Sequence, residues 1–398
     1  KLLSSKDEPM PLIRPFRAAV ALPKAPAWHP ATLRRGLATL SIACGATAGQ
    51  RCWSLAVSKR QLGQSGRRSF ATSQAKTYAM ESGLVSCEWL KAELEAPKAP
   101  LRVVDATWYL PNSPFAAPEG SKGAQAEFLA GPRLPGSVFF DIDAVSTVHP
   151  QNLPHMLPDE DTFAAAMAAI GVEPSTRVVC YDRLGVFSAP RLWYTLKVVF
   201  GHEEVAVLNG GLPRWQELGY PLEEGPPPLP PAPSAMAKWT KNSSAVWDKA
   251  QVLENIKTPA AKIIDARPAP RFYGEVPEPR PGMRGGHMPG SLNVPFVSLL
   301  SGPPRMMRPA EELQKQLQDA GLATGSFSKP DGETLVTSCG SGLTACVISL
   351  AMHQVGLPVS RMSLYDGAWT EWGGLQDTPI VKRGADGKDE TVPPLSSP

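Results

Sequence analysis

Thr334-Leu335-Val336-Thr337-Ser338-Cys339-Gly340-Ser341-Gly342-Leu343-Thr344-Ala345-Cys346-Val347-Ile348-Ser349-Leu350-Ala351-Met352 is the stretch from which the rest of the chain can be read. Thr334 to Ser338 reads as a short strand and Ala345 to Met352 as the helix after it. The glycine-bearing loop between them puts Cys339 at the carboxyl end of the strand. A sulfur there faces the unsatisfied N–H groups that open a helix, and their dipoles favour its anionic form. The glycines permit the backbone angles that such a cradle needs. A plainer reading is also open, an inert buried cysteine in an ordinary strand-to-helix turn.

Outward from this stretch the pattern occurs twice, and a repeat fixes architecture before single elements do. Val103-Val104-Asp105-Ala106 matches Ile263-Ile264-Asp265-Ala266, and Pro135-Gly136-Ser137 matches Pro289-Gly290-Ser291. Val178 pairs with Leu335, Gly210 with Gly367 and Trp215 with Trp372, all at a constant offset of 157. Each copy alternates short buried strands with helices, which predicts an α/β fold of two tandem domains, each a parallel sheet flanked by helices. The expected boundaries are a leader over 1–75, a first domain over 80–224, a linker over 225–245, a second domain over 246–383 and a flexible tail over 384–398. Pro226 to Pro233 holds six prolines and predicts a stiff spacer.

The loop from Cys339 to Thr344 resembles the active-site loop of the rhodanese family, and the repeat resembles the tandem form of that family, over about residues 80 to 382. That resemblance implies an inactive first domain and a catalytic second one. The offset of 157 sets Asp182 at the place of Cys339, and a carboxylate cannot carry sulfur. One active site per chain is implied. Within the family, thiosulfate enzymes carry basic residues directly after the cysteine, and mercaptopyruvate enzymes carry Gly-Ser-Gly, as at Gly340, Ser341 and Gly342 here. A dianionic sulfonate gains from a cation in the loop, whereas a monocarboxylate can be held further out. The resemblance therefore implies a sulfurtransferase that forms a persulfide on Cys339, with 3-mercaptopyruvate as donor and Gly340, Gly342, Leu343 and Thr344 around the substrate. Arg271-Phe272-Tyr273-Gly274 and Pro277-Glu278-Pro279-Arg280 resemble segments that grip the substrate carboxylate and keto oxygen, so Arg271 and Arg280 are the implied clamp. Phe139 to Asp143 and Pro154 to Pro158 resemble segments whose second Asp and whose His form a relay with the loop serine. Here these are Asp143, His155 and Ser341. The plainer reading is that Asp143 and His155 only hydrogen-bond loops across the domain boundary.

Composition narrows the function classes. The chain has 398 residues and 42% hydrophobic content, no apolar run long enough for a membrane helix, and a formal charge of +3. Residues 1–70 hold twelve Lys or Arg against Asp7 and Glu8, which leaves an acidic body and no nucleic-acid footprint. The absence of acidic residues from 9 to 80, with abundant Arg, Ser and Ala, is the composition of an organellar transit peptide, and Arg68-Ser69-Phe70-Ala71 resembles a matrix-processing site. The expected location is the mitochondrial matrix, with the chloroplast as alternative; a merely disordered basic tail is the other reading of the leader. Six cysteines without a Cys-x-x-Cys pair predict neither a zinc site nor a disulfide framework, and no metal or cofactor is expected. Cys346 is read as a core residue, Cys180 as part of a buried strand and Cys87 as lying near a helix start, with nothing marking the last two as reactive; His287 is read as a loop-fixing residue, and Trp215, Trp369 and Trp372 as anchors of helices or of the domain boundary. A phosphatase of related architecture needs an Arg where Ala345 stands. The implied partners are the donors 3-mercaptopyruvate and thiosulfate, and an acceptor that is a thiol, cyanide or thioredoxin; a monomer is expected. Thiosulfate sulfurtransferase and a non-enzymatic rhodanese-like persulfide carrier are the alternatives.

Overall fold

The computed structural model describes residues 80–227, 236–329 and 331–392. The leader with its processing site, most of the proline spacer and the last six residues lie outside them. In the first half β1 (Leu84–Val85) leads into α1 (Cys87–Glu95), whose start is fixed by Ser86: its hydroxyl accepts the Trp89 N–H at 3.1 Å. There follow β2 (Leu101–Asp105), α2 (Ala124–Ala130), β3 (Val138–Phe139), α3 (Glu160–Ala169), β4 (Arg177–Tyr181), α4 (Ala189–Tyr194), β5 (Val205–Leu208) and α5 (Gly211–Glu217). The strands form one parallel sheet in the order β1-β5-β4-β2-β3. Their centres are continuous apolar runs, as expected where helices cover both faces.

The second half repeats this plan. β6 (Val246–Trp247) precedes α6 (Lys249–Lys257), which opens with a capping box between Asp248 and Gln251. β7 (Ala261–Asp265), α7 (Ala269–Phe272), β8 (Leu292–Asn293), the short antiparallel pair β9 (Leu300–Ser301) and β10 (Met306–Met307), α8 (Ala310–Asp319), β11 (Thr334–Ser338), α9 (Ala345–Gln354), β12 (Met362–Tyr365) and α10 (Ala368–Trp372) complete it. The second sheet is also parallel, in the order β6-β12-β11-β7-β8. Strand for strand it is the first sheet again, with β11 in the place of β4. Both loops of interest leave the carboxyl end of the middle strand, where open α/β sheets place their ligands.

The two domains share a core. Helix α4 packs on α9, and Leu192 and Leu196 lie in one apolar cluster with Val347, Ile348 and Leu350. Buried apolar surface rather than a tether therefore fixes the domains against each other.

Two boundaries differ from the sequence expectation. The linker read over 225–245 is part of the packed body from Trp239 onward: that indole is 6% exposed and meets Phe163 edge-on at 5.1 Å, and Tyr194 donates to the Ala245 carbonyl at 2.7 Å. A tryptophan gains more from burial than a spacer gains from staying free. The tail expected to fray from Gly384 returns as β14 (Asp389–Val392), antiparallel to β13 (Ile380–Arg383), with Val392 opposite the buried Ile380. Its polar residues mask a strand whose pairing is backbone to backbone.

Candidate active site

Cys339 directly follows β11 and is 2% exposed. Its carbonyl accepts the Trp369 N–H at 3.0 Å, and the Gly340 carbonyl accepts from the Thr370 N–H at 2.9 Å and the Thr370 hydroxyl at 2.5 Å. The loop is thus tied to the start of α10. Gly342 has φ +81, and a Cβ there would stand 3.2 Å from Arg191 Nη1 and 3.3 Å from the Asp366 carbonyl, so both conformation and space require glycine.

The first domain shows what this loop shape binds. Asp182, at the repeat position of Cys339, is fully buried and accepts N–H groups from Leu184, Phe187, Ser188 and Ala189, each at 2.9 Å. Leu184, Phe187 and Ser188 stand at the repeat positions of Ser341, Thr344 and Ala345. A turn of this shape before a helix is a cradle for one negative charge. In the second domain Cys339 stands at the repeat position of that carboxylate.

Across the domain boundary, His155 Nε2 lies 2.7 Å from Ser341 Oγ, and His155 Nδ1 lies 2.9 Å from Asp143 Oδ1. Trp108 donates its indole N–H to Asp143 Oδ2 at 2.8 Å and sets its ring edge-on to the imidazole at 5.0 Å. The three residues named from sequence therefore stand in line. His155 has φ 40, a conformation that a non-glycine residue holds only when its surroundings impose it. Burial pushes the His155 pKa below its ordinary value, with the Arg191 and Arg280 cations adding to the effect and the Asp143 hydrogen bond opposing it. Burial weighs against the Asp143 carboxylate, yet the His155 and Trp108 hydrogen bonds and Arg280 hold its pKa low. The stable state is a neutral imidazole donating Nδ1–H to an ionised Asp143 and accepting from Ser341. Because a lowered pKa delays protonation as pH falls, the His155 ring signals in an NMR titration are expected to move only below about pH 6.5, the ordinary histidine value. Titration centred at or above that value would contradict this electrostatic arrangement.

The two arginines named from sequence lie near the same loop. A Cβ on Gly340 would stand 3.4 Å from Arg271 Nη2. Glu278, buried, bridges Arg271 Nη2 at 2.5 Å and Arg267 Nη1 at 2.9 Å; Arg267 in turn pairs with Asp265 at 2.7 Å and lies over the Trp369 ring at 4.0 Å. Arg280 donates to Thr370 Oγ1 at 2.6 Å, and the charges acting on it are those of Cys339, Arg271, Glu278 and Asp143. A cavity of about 520 Å³ opens against the same segment and is lined by Glu278 and Arg280 among others. Of the other loop residues named from sequence, Thr344 is the residue before α9 and makes no side-chain capping bond, whereas the Leu343 side chain belongs to the apolar core, which leaves it only backbone contacts to offer a substrate.

A model of the rhodanese-like domain matches residues 86–218 and again 248–375. The chain belongs to the rhodanese family. This rhodanese is 40% identical over 296 residues to the 3-mercaptopyruvate sulfurtransferase of Escherichia coli strain K12, covering 74% of this chain and 96% of the relative. It is 35% identical over 340 residues to thiosulfate/3-mercaptopyruvate sulfurtransferase 1, mitochondrial, of Arabidopsis thaliana, covering 81% and 84%. The crystal structure of SseA from Escherichia coli, described as a 3-mercaptopyruvate sulfotransferase with the rhodanese fold, aligns with a TM-score of 0.59 at 36% identity, over 72% of this chain and 98% of that one.

The remaining cysteines of this rhodanese within the described residues are core residues. Burial pushes the Cys346 thiol up to about 12 against the opposing effect of Arg191, raises Cys87 to about 12, and raises Cys180 as well. His287 stacks on Phe272 at 3.8 Å and bonds its carbonyl through Nδ1 at 2.9 Å, so it fixes the loop that follows α7. Four groups around the site were not named from sequence: Trp108, Arg191, Asp366 and Thr370. Only Arg191 left a local signal, as the lone cation in the apolar run Ala189-Pro190-Arg191-Leu192-Trp193-Tyr194. Glu278 was quoted in a motif without a role.

Proposed function

We propose that this rhodanese is a 3-mercaptopyruvate sulfurtransferase working through a persulfide on Cys339. The thiolate attacks the sulfur of the donor, a sulfur–sulfur bond forms, and the carbon–sulfur bond breaks with its electron pair going to carbon. The pyruvate enolate so formed takes up a proton, which balances the one lost from the donor thiol, and pyruvate leaves. Ser341 and His155 are the path for that proton, with Asp143 holding the imidazole in its required tautomer. Arg271 and Arg280 hold the carboxylate and keto oxygen, which places the donor sulfur at Cys339. The outer sulfur then passes to cyanide, a small thiol or reduced thioredoxin. A monomer suffices, since one chain supplies every group named. The stretch from 9 to 80 without acidic residues and the mitochondrial Arabidopsis relative support the mitochondrial matrix as its location.

The observation that carries the donor assignment is the uncharged loop Gly340-Ser341-Gly342 set opposite Arg271. A dianionic donor would need a cation inside the loop, and a monocarboxylate is served by the arginines outside it. With Cys339→Ser as blank, kcat/KM for 3-mercaptopyruvate is expected to exceed that for thiosulfate by about tenfold or more, the worth of one charge-assisted hydrogen bond. The reverse ranking would reassign the protein to thiosulfate.

A further inference from the structure

Each domain sends a segment across to cap the loop of the other, so the inert side serves as an internal control for the active one. On the active side the Leu157 N–H donates to Asp366 Oδ2 at 2.8 Å, and His155 reaches Ser341 at 2.7 Å. On the inert side the Met307 N–H, from the β9–β10 pair, donates to Asn209 Oδ1 at 2.8 Å, and Arg305 reaches the Leu184 carbonyl at 3.2 Å. Asn209 and Asp366 are related by the offset of 157, and so are Leu184 and Ser341. The two crossings dock their backbones in the same way.

What lies behind them differs. Asp366 has a second carboxylate oxygen, and Arg191 Nη2 donates to it at 2.8 Å. The same guanidinium donates to the His155 carbonyl at 2.7 Å and to the Gly342 carbonyl at 3.2 Å. At the repeat position of Arg191, helix α9 carries Ile348, and Asn209 replaces the carboxylate. The inert crossing is therefore built without an ion pair, which shows that docking does not require one. Arg191 is 3% exposed and Asp366 5%. A buried pair of this kind is a poor source of stability and a good source of fixed geometry, because a planar fork of donors joins several acceptors at set angles. The segments it joins are those whose spacing the relay needs, and one of them carries His155 at φ 40.

We infer that Arg191, seated on Asp366, is a positioning residue that fixes the His155 segment and the 340–342 loop to each other, so that the imidazole meets Ser341. The inference rests on the relay reading given above. Without the fork, substrate still binds at the arginines, and the proton path loses its alignment.

The double variant Arg191→Ile/Asp366→Asn gives the active crossing the pair that the inert one already has. It is expected to keep its thermal midpoint close to wild type and KM for 3-mercaptopyruvate within about threefold, while kcat falls about 10- to 100-fold, the scale of a displaced catalytic contact. In a Ser341→Ala background the same pair of changes should cost less than about threefold further, because the contact it positions is already gone. A folded double variant with wild-type kcat, or losses that multiply with Ser341→Ala, would overturn the inference. Wild-type rates for Ser341→Ala alone would overturn the relay and this inference with it; a slow Ser341→Ala beside a fast double variant would overturn the positioning role alone. Arg191→Lys covers the case in which the double variant does not fold. Its single ammonium keeps a cation against Asp366 but cannot span three acceptors, so kcat is expected to drop as in the double variant, and full activity would refute the inference equally.

Discussion

Cys339→Ser is expected to leave the protein folded and unable to take up sulfur. Incubated with 3-mercaptopyruvate and no acceptor, the wild-type chain gains one sulfur atom in its intact mass, and the variant gains none. Turnover in the variant falls by about 10⁴-fold or more, the scale seen when a nucleophile is removed from a preorganised site. The fold has little reason to change: the hydroxyl is smaller than the thiol and sits at the same loop position, which is held by backbone bonds from Trp369 and Thr370 to the carbonyls of residues 339 and 340. The remaining described thiols offer no alternative, since Cys346 and Cys87 are buried with pKa values pushed up to about 12. A sulfur adduct that survives in Cys339→Ser would remove the basis of the functional proposal.

The second large effect falls on Arg280 rather than on Arg271. Arg271 already spends one edge of its guanidinium on the buried Glu278 at 2.5 Å, so its charge is partly answered before substrate arrives. Arg280 donates to a neutral hydroxyl, Thr370 Oγ1, and takes part in no ion pair among the described residues. Burial already weighs against its charge, while Cys339 and Glu278 favour it. A carboxylate arriving beside it gains a desolvated cation in full. Arg280→Met is therefore expected to lower kcat/KM for 3-mercaptopyruvate by about 10²- to 10³-fold, the worth of a bidentate charged contact of roughly 3 to 4 kcal/mol. Arg271→Met should cost less. Arg280→Lys, which keeps the charge and loses the fork, should fall between Met and wild type. An Arg280→Met enzyme within threefold of wild type, measured by initial rates at several donor concentrations, would show that this arginine does not hold the substrate.

Sequence and structure agree most where the argument was local. The strand, loop and helix around Cys339 are contiguous, so periodicity and glycine placement were enough to read them. The repeat extended that reading to both sheets, because the offset of 157 brings β4 onto β11 without a gap. Asp143, His155 and Ser341 came from motif resemblance, and the structure places them in contact although 186 residues separate His155 from Ser341. Arg191 was missed for a physical reason. Its meaning lies in which acceptors its fork reaches, the His155 and Gly342 carbonyls and the Asp366 carboxylate, 36, 151 and 175 residues distant along the chain, and no local pattern encodes that. Trp239 and β14 depart from the sequence reading for the opposite reason: proline-rich composition predicted a spacer and polar composition a flexible tail, but one indole and one run of backbone pairing decided the outcome.

Asp182 has one more consequence. Counting bonds outward from Cβ, its chain runs carbon, carbon, oxygen, and a persulfidated cysteine runs carbon, sulfur, sulfur; both end in negative charge after the same number of bonds, with the longer S–S bond carrying the sulfur further out. Under the proposed mechanism, the oxygen that collects the amides of Phe187, Ser188 and Ala189 stands, by the repeat, on the side of the loop toward which the outer sulfur of a Cys339 persulfide would extend. If Cys339 takes up sulfur as proposed, the silent half keeps a permanent cast of a charge that its twin holds only between donor and acceptor.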